Sequence, residues 1–346
     1  KINNKTYQLD QQLTFNEPFN IGINTYDLLD AAPNKNGVYS IELYINDSLF
    51  FKNKMNEFSF HETKYINSHI DYEYYQNKGE KFQKCFLEPN NKLSTNKKHT
   101  NHLIGENLSN GTHTVHLKIK DSYHNSSELK FNFKLLKKDN NDRQKTNEKI
   151  INHQQIFEFK NDNCKIYIPN NSLYKDYPFL FQKYTKNDME YPIYQILHDS
   201  IPSHKYFRIS MNSDKIPKNL IKKAIVAKIK DGEYKYINTT YNNNYIVGKS
   251  NEFGHFTILI DTIQPSIKYH GISNNIMQLS ISDELSGIES YRGEIDNKWV
   301  LMEYDYKTKS LYHKFRTPPT NNKHVVNIQL IDKVGNKSTL EIDFMR

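Results

Sequence analysis

Residues 113–121 read HTVHLKIKD, and residues 324–332, near the end of the chain, read HVVNIQLID. Both segments alternate apolar and polar side chains and then reach an aspartate. A period of two is typical of a β-strand with one buried face and one solvated face. A second alternating run follows each segment and ends near Phe133 or Phe344. The pair therefore predicts a repeated strand–turn–strand unit in which Asp121 and Asp332 cap the turns.

The repeat extends upstream, where residues 21–40 and 279–290 share an acidic turn between two apolar runs. An isolated hairpin is barely stable in water, so each copy should belong to a complete sandwich. Asp231-Gly232 separates two further alternating runs and predicts another hairpin. Helical periodicity is confined to two short candidates, residues 67–75 and 217–223. The sequence thus predicts an all-β chain of three immunoglobulin-like (Ig-like) β-sandwich modules in series.

The module boundaries follow from breaks in this pattern. Module one is expected to span residues 1–136, and a polar linker 137–149 follows it, too hydrophilic to be buried. Module two is expected over 150–261. Module three is expected over 262–346, starting near Pro265, which favours an extended backbone. Residues 50–107 exceed what a bare sandwich needs, and their dense aromatic side chains predict an ordered insertion.

Composition supports folded modules and gives little sign of a charged partner. The chain is 36% hydrophobic and 25% charged, with a formal net charge of +8. The basic residues are spread along the sequence and form no stripe, so no nucleic-acid partner is predicted. No run approaches the roughly 20 apolar residues of a transmembrane helix. Two cysteines are too few for a disulfide framework, and Cys85 and Cys164 are expected to be free, buried thiols.

The histidines do not form a recognisable metal site. His113 and His116 lie three residues apart on a predicted strand and therefore on opposite faces, where they cannot share an ion. His99 and His102 flank a polar loop with no cysteine or carboxylate partner nearby. The sequence also lacks a Gly-x-Ser-x-Gly elbow and a phosphate-binding glycine loop. We therefore predict no catalytic, cofactor-binding or metal-binding residue in this chain.

Acidic residues recur at the predicted strand ends, and they leave one alternative open. Asp27, Asp121, Asp283, Glu284 and Asp332 occupy such positions. Oxygen ligands gathered at a module junction could hold calcium. Capping of the turns explains each of these residues singly, and no Asp-x-Asp-x-Asp run is present. Capping is the interpretation that we carry forward.

The insertion holds the best candidate for a contact surface. Glu62, Tyr65, His69, Asp71 and Tyr72 form its densest mixed cluster of acidic, aromatic and histidine side chains. If the segment is helical, His69 and Glu73 would share one face. The tyrosines could serve as aromatic anchors of a binding patch, because loops on rigid sandwiches often carry recognition. The alternative is that these polar groups fasten the insertion onto module one.

Several segments together resemble the region that follows the peptidase domain in M23-family (lysostaphin-type) metallopeptidase proteins of Bacteroidota. The resemblance covers nearly the whole chain. The segments that carry it include NGVYSIEL (36–43), FSFHET (58–63), HIDY (69–72), CFL (85–87), FGHFTI (253–258), SGIESYRG (286–293) and WVLMEYD (299–305).

The same resemblance implies that the chemistry lies elsewhere. The peptidases of that family hold zinc through a His-x-x-x-Asp pair and a His-x-His pair, and none of the 14 histidines here fits either spacing. Zinc is expected only in a peptidase domain preceding Lys1. The predicted function is a non-catalytic structural or binding array of a cell-envelope protein. It would position or dock a peptidoglycan-hydrolase-type partner, in the periplasm, at the outer membrane or outside the cell.

Two alternatives remain. The chain could be a region of a zinc metalloendopeptidase that acts on peptidoglycan, with its catalytic domain missing. It could instead be a glycan-binding or adhesive module, with the tyrosine-rich insertion as the binding face. Its partners would be a cell-envelope protein or peptidoglycan.

Overall fold

The computed structural model of the protein describes residues 5–9, 11–28, 33–137, 148–317 and 321–346. Most of the predicted linker, residues 138–147, lies outside the described residues. The chain is about 52% strand and 6% helix, so the predicted all-β fold is confirmed. The described residues form no helix long and apolar enough to cross a membrane.

Module one is built on one seven-stranded sheet with the order β1-β11-β10-β6-β7-β9, in which β2 also pairs with β11. Two small sheets, β3-β8 and β4-β5, complete it. Its strands are β1 (Thr6–Gln8), β2 (Leu13–Phe15), β3 (Gly22–Ile23), β4 (Asp27–Leu28), β5 (Lys35–Asn36), β6 (Ser40–Ile45), β7 (Ser48–Lys54), β8 (Gln83–Lys84), β9 (Asn96–Lys98), β10 (Gly111–Lys120) and β11 (Ser126–Leu135).

The second layer of module one comes from the insertion and the N-terminal segment. Cys85 and Ile104 of the insertion are almost fully buried in the same core as Leu43, Leu117 and Phe133 of the large sheet. Because these side chains close the core, the insertion is ordered, as its aromatic content predicted.

Module two contains a nine-stranded sheet that bends across β20. The first half of β20 pairs with β19 and the second half pairs with β21, so the sheet turns back over its own core. Its strands are β12 (Ile150–Ile151), β13 (Phe157–Lys160), β14 (Cys164–Ile168), β15 (Tyr177–Pro178), β16 (Phe181–Tyr184), β17 (Ile193–Ile196), β18 (Pro202–Asn212), β19 (Ala224–Lys230), β20 (Glu233–Asn242), β21 (Tyr245–Glu252) and β22 (Gly254–Ile260).

Module three is a sandwich of two four-stranded sheets, ordered β23-β24-β28-β27 and β26-β25-β29-β30. The residues between the sheets form a separate core that includes Met277, Leu311 and Ile328. Its strands are β23 (Ser266–Ser273), β24 (Ile276–Ser282), β25 (Ile288–Ile295), β26 (Lys298–Val300), β27 (Glu303–Asp305), β28 (Ser310–Lys314), β29 (Lys323–Asp332) and β30 (Lys337–Met345).

The repeated hairpins are confirmed in detail. In the β10–β11 turn, Oδ1 of Asp121 accepts the backbone N–H groups of Tyr123 and Asn125, and Oδ2 accepts from the Asn125 side chain. Asp332 makes the corresponding three bonds with Val334 and Asn336 in the β29–β30 turn. The first turn faces solvent, whereas Asp332 is 1% exposed because module two covers it.

The hairpin predicted at Asp231-Gly232 is also confirmed. Both residues have a positive φ, of 53° and 84°, which is the left-handed backbone that a tight turn between β19 and β20 requires. The candidate helix at 217–223 is reduced to a 3-10 turn, Ile221–Lys223, which leads into β19.

Gly248 in β21 allows the two halves of the bent sheet to approach each other. A Cβ atom at this position would lie 2.9 Å from Cβ and Cγ1 of Val226, a fully buried residue of β19. We expect Gly248→Ala to lower the free energy of unfolding by about 1–3 kcal/mol, because overpacking forces a buried neighbour to move. Urea unfolding would measure this change. Gly37→Ala is the control, since nothing lies within 4 Å of its Cβ position, and we expect a change within about 0.5 kcal/mol.

Candidate functional site

The insertion consists of short helical turns. A 3-10 helix, Phe60–Tyr65, continues into α1 (Ile66–His69), and α2 (Tyr72–Lys78) follows after a break. At the break Ile70 is extended, and Oδ1 of Asp71 accepts the N–H of Tyr74 to cap α2. The helix predicted across this region is therefore wrong in one respect: His69 and Glu73 lie on different helices and share no face.

A cavity of about 680 Å³ lies between these turns and the edge of module one. One wall is the β4–β5 strand pair with the described residues next to it, including Tyr26 before β4 and Val38 and Tyr39 after β5. The opposite wall is the insertion, and Phe58 and His69 face the cavity from it. Its volume is within the range of about 300–1,000 Å³ that small-molecule sites occupy.

His69 is the unusual group in this cavity. It is 2% exposed, and neither ring nitrogen has a hydrogen-bond partner among the described residues. Burial lowers the pKa of His69 to about 4, although the nearby Gln83 side chain opposes the shift. The imidazole is therefore neutral near pH 7, with one N–H donor and one acceptor nitrogen. Among the described residues, the Gln83 side chain makes a hydrogen-bonding contact with the ring that is too poorly aligned to satisfy its nitrogens.

This buried histidine predicts a pH-dependent loss of stability. Above pH 6.5 the ring is neutral in both the folded and the unfolded chain, so folding carries no penalty. Between pH 6.5 and 4 the unfolded chain binds the proton and the folded chain does not. We therefore expect a loss of about 3 kcal/mol over that window, measured by urea unfolding at several pH values.

His69→Leu should remove this component, so that the variant loses less stability than the wild type between pH 6.5 and 4. His270→Leu is the matched control because His270 is exposed on β23 and its ring bonds to the Ser280 hydroxyl. Parallel pH profiles for the wild type and His69→Leu would contradict the assignment.

The five residues predicted to form one patch take different places. Glu62 accepts the backbone N–H of Ser94 at 2.8 Å, and that bond lowers the pKa of its carboxyl group. Asp71 caps α2. His69 faces the large cavity, whereas Asp71 and Tyr72 line a separate one of about 310 Å³ between the insertion and module two.

Tyr65 takes part in a junction between the insertion and module two. Its ring stacks on that of His204, with centroids 4.4 Å apart. Tyr174, 1% exposed, donates its hydroxyl hydrogen to the carbonyl oxygen of Lys64 at 2.6 Å and lies 3.1 Å from Nδ1 of His204. Burial raises the pKa of Tyr174, so this donor keeps its proton. We call this set of contacts junction A.

The side-chain amide of Asn90 completes junction A. Asn90 is 4% exposed and donates to the carbonyl oxygens of Leu173 and Asn171 at 2.9 and 3.3 Å. Its backbone N–H donates to the carbonyl of Tyr174. Polar groups thus fasten the insertion, which is one of the two interpretations of its sequence. They attach it to module two as well as to module one.

Modules two and three meet in a second buried polar contact, junction B. Nζ of Lys223 donates to Oδ1 of Asn336 at 2.5 Å and to the carbonyl of Val334 at 3.0 Å. The side-chain amide of Asn336 donates to the carbonyls of Asp261 and Ile263, both at 3.0 Å. The β10–β11 turn of module one faces solvent, whereas the equivalent β29–β30 turn of module three contacts module two.

Junction B also gathers three carboxylates. Asp261, Asp283 and Asp332 each place an oxygen within 4.8 Å of the others. Burial and the two neighbouring aspartates raise the pKa of Asp283, and its Oδ1 has no hydrogen-bond partner in the described part of the chain. Backbone N–H groups bond to all three side chains. Asp27, Asp121 and Glu284 are not part of this group, and no sequence pattern predicts that Asp261 belongs to it.

The remaining predictions about reactive residues can be placed directly. Cys85 and Cys164 are free and buried, as expected, and burial raises the pKa of each thiol to about 12. His113 bonds to Asn46 and Ser109, while His116 bonds to Glu128. Among the described residues, the only group with metal-ligand spacing is the aspartate cluster.

Comparison with known proteins gives one family-level similarity. Residues 148–261 are similar to the Zu5-like domain family. This match covers about a third of the chain. No curated protein matches the sequence.

Solved structures align over most of the chain but only loosely. SGBP-B of the Bacteroides ovatus mixed-linkage glucan utilization locus, in complex with a mixed-linkage heptasaccharide, is 9% identical over 98% of this chain and 67% of its own, with a TM-score of 0.17. Extracellular cadherin domains 3–6 of protocadherin gamma B2 are 9% identical over 99% of this chain and 72% of their own, with a TM-score of 0.19. Such scores carry no argument about function.

Proposed function

We propose that this chain is a non-catalytic β-sandwich array of a bacterial cell-envelope protein, which holds a peptidoglycan-hydrolase-type partner at a fixed position. The supporting observation is the chemistry of the two junctions. Each uses buried, directional hydrogen bonds between side chains of one module and backbone groups of the next. Such bonds hold only one relative orientation, because a buried donor or acceptor left unpaired costs about 1–3 kcal/mol.

The junctions favour a spacer over a flexible tether. Interfaces between modules of one chain often permit motion unless they are large and apolar. Here Tyr174, Asn90 and Asn336 are 1%, 4% and 8% exposed, so their polar groups are shielded from competing water. A partner attached to one end of such an array would be held at a defined distance and angle from the other end.

The test of this role compares the wild type with a variant weakened at both junctions, Tyr174→Ala/Asn336→Ala. Small-angle X-ray scattering should show one compact distribution of interatomic distances for the wild type and a broader one for the variant. The control is Tyr123→Ala, at an 81% exposed residue of a module-one turn. A wild type already as broad as the double variant would overturn the proposal.

The peptidase alternative has a separate test. Purified sacculi would be incubated with the chain and zinc, and released muropeptides would be separated by liquid chromatography. We expect no release above the level of a heat-denatured sample. Stoichiometric zinc together with cleavage would replace the spacer role with a catalytic one.

Glycan recognition is a second candidate function, and the cavity at His69 is the observation that favours it. The cavity joins aromatic surface to unpaired polar groups, which is the combination that a saccharide needs. Retention of the chain on sacculi would be consistent with it, but the sharper test concerns the cavity itself.

A further inference from the structure

We propose that the cavity between the β4–β5 strand pair and the insertion binds a neutral saccharide, with a sugar ring packed on Phe58 or Tyr26 and a hydroxyl group bonded to His69. The proposal specifies the ligand of the second candidate function above and rests on it. It does not depend on the rigidity of the junctions.

His69 favours a ligand with polar groups. A buried polar group without a partner is costly, and proteins keep such groups mainly where they serve a purpose. His69 lines the cavity and is 2% exposed, and among the described residues its ring nitrogens have no well-aligned partner beyond the loose contact with the Gln83 side chain. Each nitrogen exposes less than 1 Å², so the ring must rotate towards the cavity before a ligand reaches it. A sugar hydroxyl both donates and accepts, and it can then satisfy the N–H or the acceptor nitrogen of a neutral imidazole.

The aromatic surface at the cavity favours a ligand that also has an apolar face. Phe58 and Tyr26 line it, and each is 47% exposed. One side of the Tyr26 ring is covered by Nζ of Lys35, 4.4 Å from the centroid. The C–H groups of a pyranose ring form an apolar face that packs on an aromatic ring, while its hydroxyls stay free for polar partners. Half-exposed rings beside a buried imidazole suit such a two-sided ligand.

The charge of the cavity lining selects a neutral ligand. Lys35 and Lys81 face the cavity together with Asp27 and Glu80, so the formal charges of the described lining residues cancel. Glu80 already accepts from the amide of Asn24 at 3.1 Å. A strongly anionic or cationic ligand would meet two like charges as well as two opposite ones.

A purely apolar ligand fits the lining less well. It would fill the cavity against Phe58 but would leave both nitrogens of His69 unpaired and remove them further from water, which is unfavourable. An apolar compound is therefore expected to bind more weakly than a neutral saccharide.

Saturation-transfer difference NMR and isothermal titration calorimetry would test the site with the full chain. The probes are N,N′-diacetylchitobiose and cellobiose as neutral disaccharides, digalacturonic acid as an anionic one, and indole as an apolar one. We expect at least one neutral disaccharide to bind, and digalacturonic acid and indole to bind at least about tenfold more weakly.

Three variants locate the binding. Phe58→Ala and His69→Leu should each weaken the neutral disaccharide by about tenfold or more. His69→Leu removes the unpaired nitrogens, so it should fold at least as stably as the wild type near pH 7. Phe60→Ala is the matched control: Phe60 is in the same insertion, is 98% exposed and does not line the cavity, so its binding should equal that of the wild type.

The proposal is overturned if neither neutral disaccharide binds at about 10 mM, if only indole binds, or if binding survives both Phe58→Ala and His69→Leu. Any of these results alongside narrow scattering distributions would reject the saccharide site and leave the spacer role standing.

Discussion

Replacing Tyr174 with alanine should lower the free energy of unfolding by about 3–5 kcal/mol, the usual cost of truncating a fully buried aromatic side chain. Tyr174 is 1% exposed and contacts two modules at once. Its ring meets those of Tyr65 and His204 edge to face, at 6.1 and 5.7 Å, and its hydroxyl bonds to Lys64. The substitution should therefore also separate the insertion from module two. Urea unfolding would measure the first effect and protease susceptibility of residues 60–78 the second.

Tyr174→Phe separates the contribution of the hydroxyl group to stability from that of the ring. The ring and its packing remain, while the bond to the Lys64 carbonyl is lost, so we expect a smaller change of about 1–2 kcal/mol. Tyr306→Phe is the control, at a 72% exposed residue of module three, with an expected change within about 0.5 kcal/mol. Equal stabilities of Tyr174→Ala and wild type would contradict the description of junction A.

Glu252→Gln should destabilise module two by about 1–3 kcal/mol, because it leaves a buried lysine without its counter-charge. The cost is below that of a fully buried pair because the Glu252 side chain is 34% exposed and solvent screens it. Lys228 is 2% exposed, and its Nζ lies 2.7 Å from Oε2 of Glu252. Burial alone would raise the pKa of Glu252, but hydrogen bonds from Lys228 and Lys235 outweigh it and lower the pKa to about 2. The carboxylate is thus held in its charged form, and its contribution is present above pH 4.5 and is lost as the pH falls towards 2.

The reverse substitution should be milder. In Lys228→Met the carboxylate keeps Lys235 at 3.0 Å and is partly exposed, so we expect a smaller loss than for Glu252→Gln. Glu294→Gln, at an exposed pair with Arg292, serves as the control and should cost about 0–1 kcal/mol. Thermal unfolding at pH 7 would rank the three variants; a control as damaging as Glu252→Gln would refute the role of burial.

The sequence predicted what depends on local pattern. The alternation in residues 113–121 and 324–332, together with their turn aspartates, was enough to place both hairpins, because strand periodicity and turn capping act over a few residues. It also indicated the ordered insertion from its aromatic content. The pattern of residues 67–75 predicts one helix, but the chain is extended at Ile70, and Asp71 caps a second helix, α2.

The features that the sequence did not predict are contacts between residues far apart along the chain. Tyr65 contacts His204, and Lys223 contacts Asn336. The partners in each pair are far apart in the sequence, so no local pattern predicts the contact. The ring nitrogens of His69 likewise lack a well-aligned hydrogen-bond partner because several segments of the chain bury the side chain. Asp261 joined the aspartate cluster only because the end of module two folds against two turns of module three.

The distance between modules one and three, measured by double electron–electron resonance, tests the central claim most directly. Spin labels at Tyr123→Cys and Tyr306→Cys would span both junctions, and the native thiols are 1% and 0% exposed, which protects them from labelling. We predict one narrow distance distribution that broadens in Tyr174→Ala/Asn336→Ala. A wide distribution in the otherwise wild-type chain would mean that the modules move independently, and it would contradict the account of a rigid spacer.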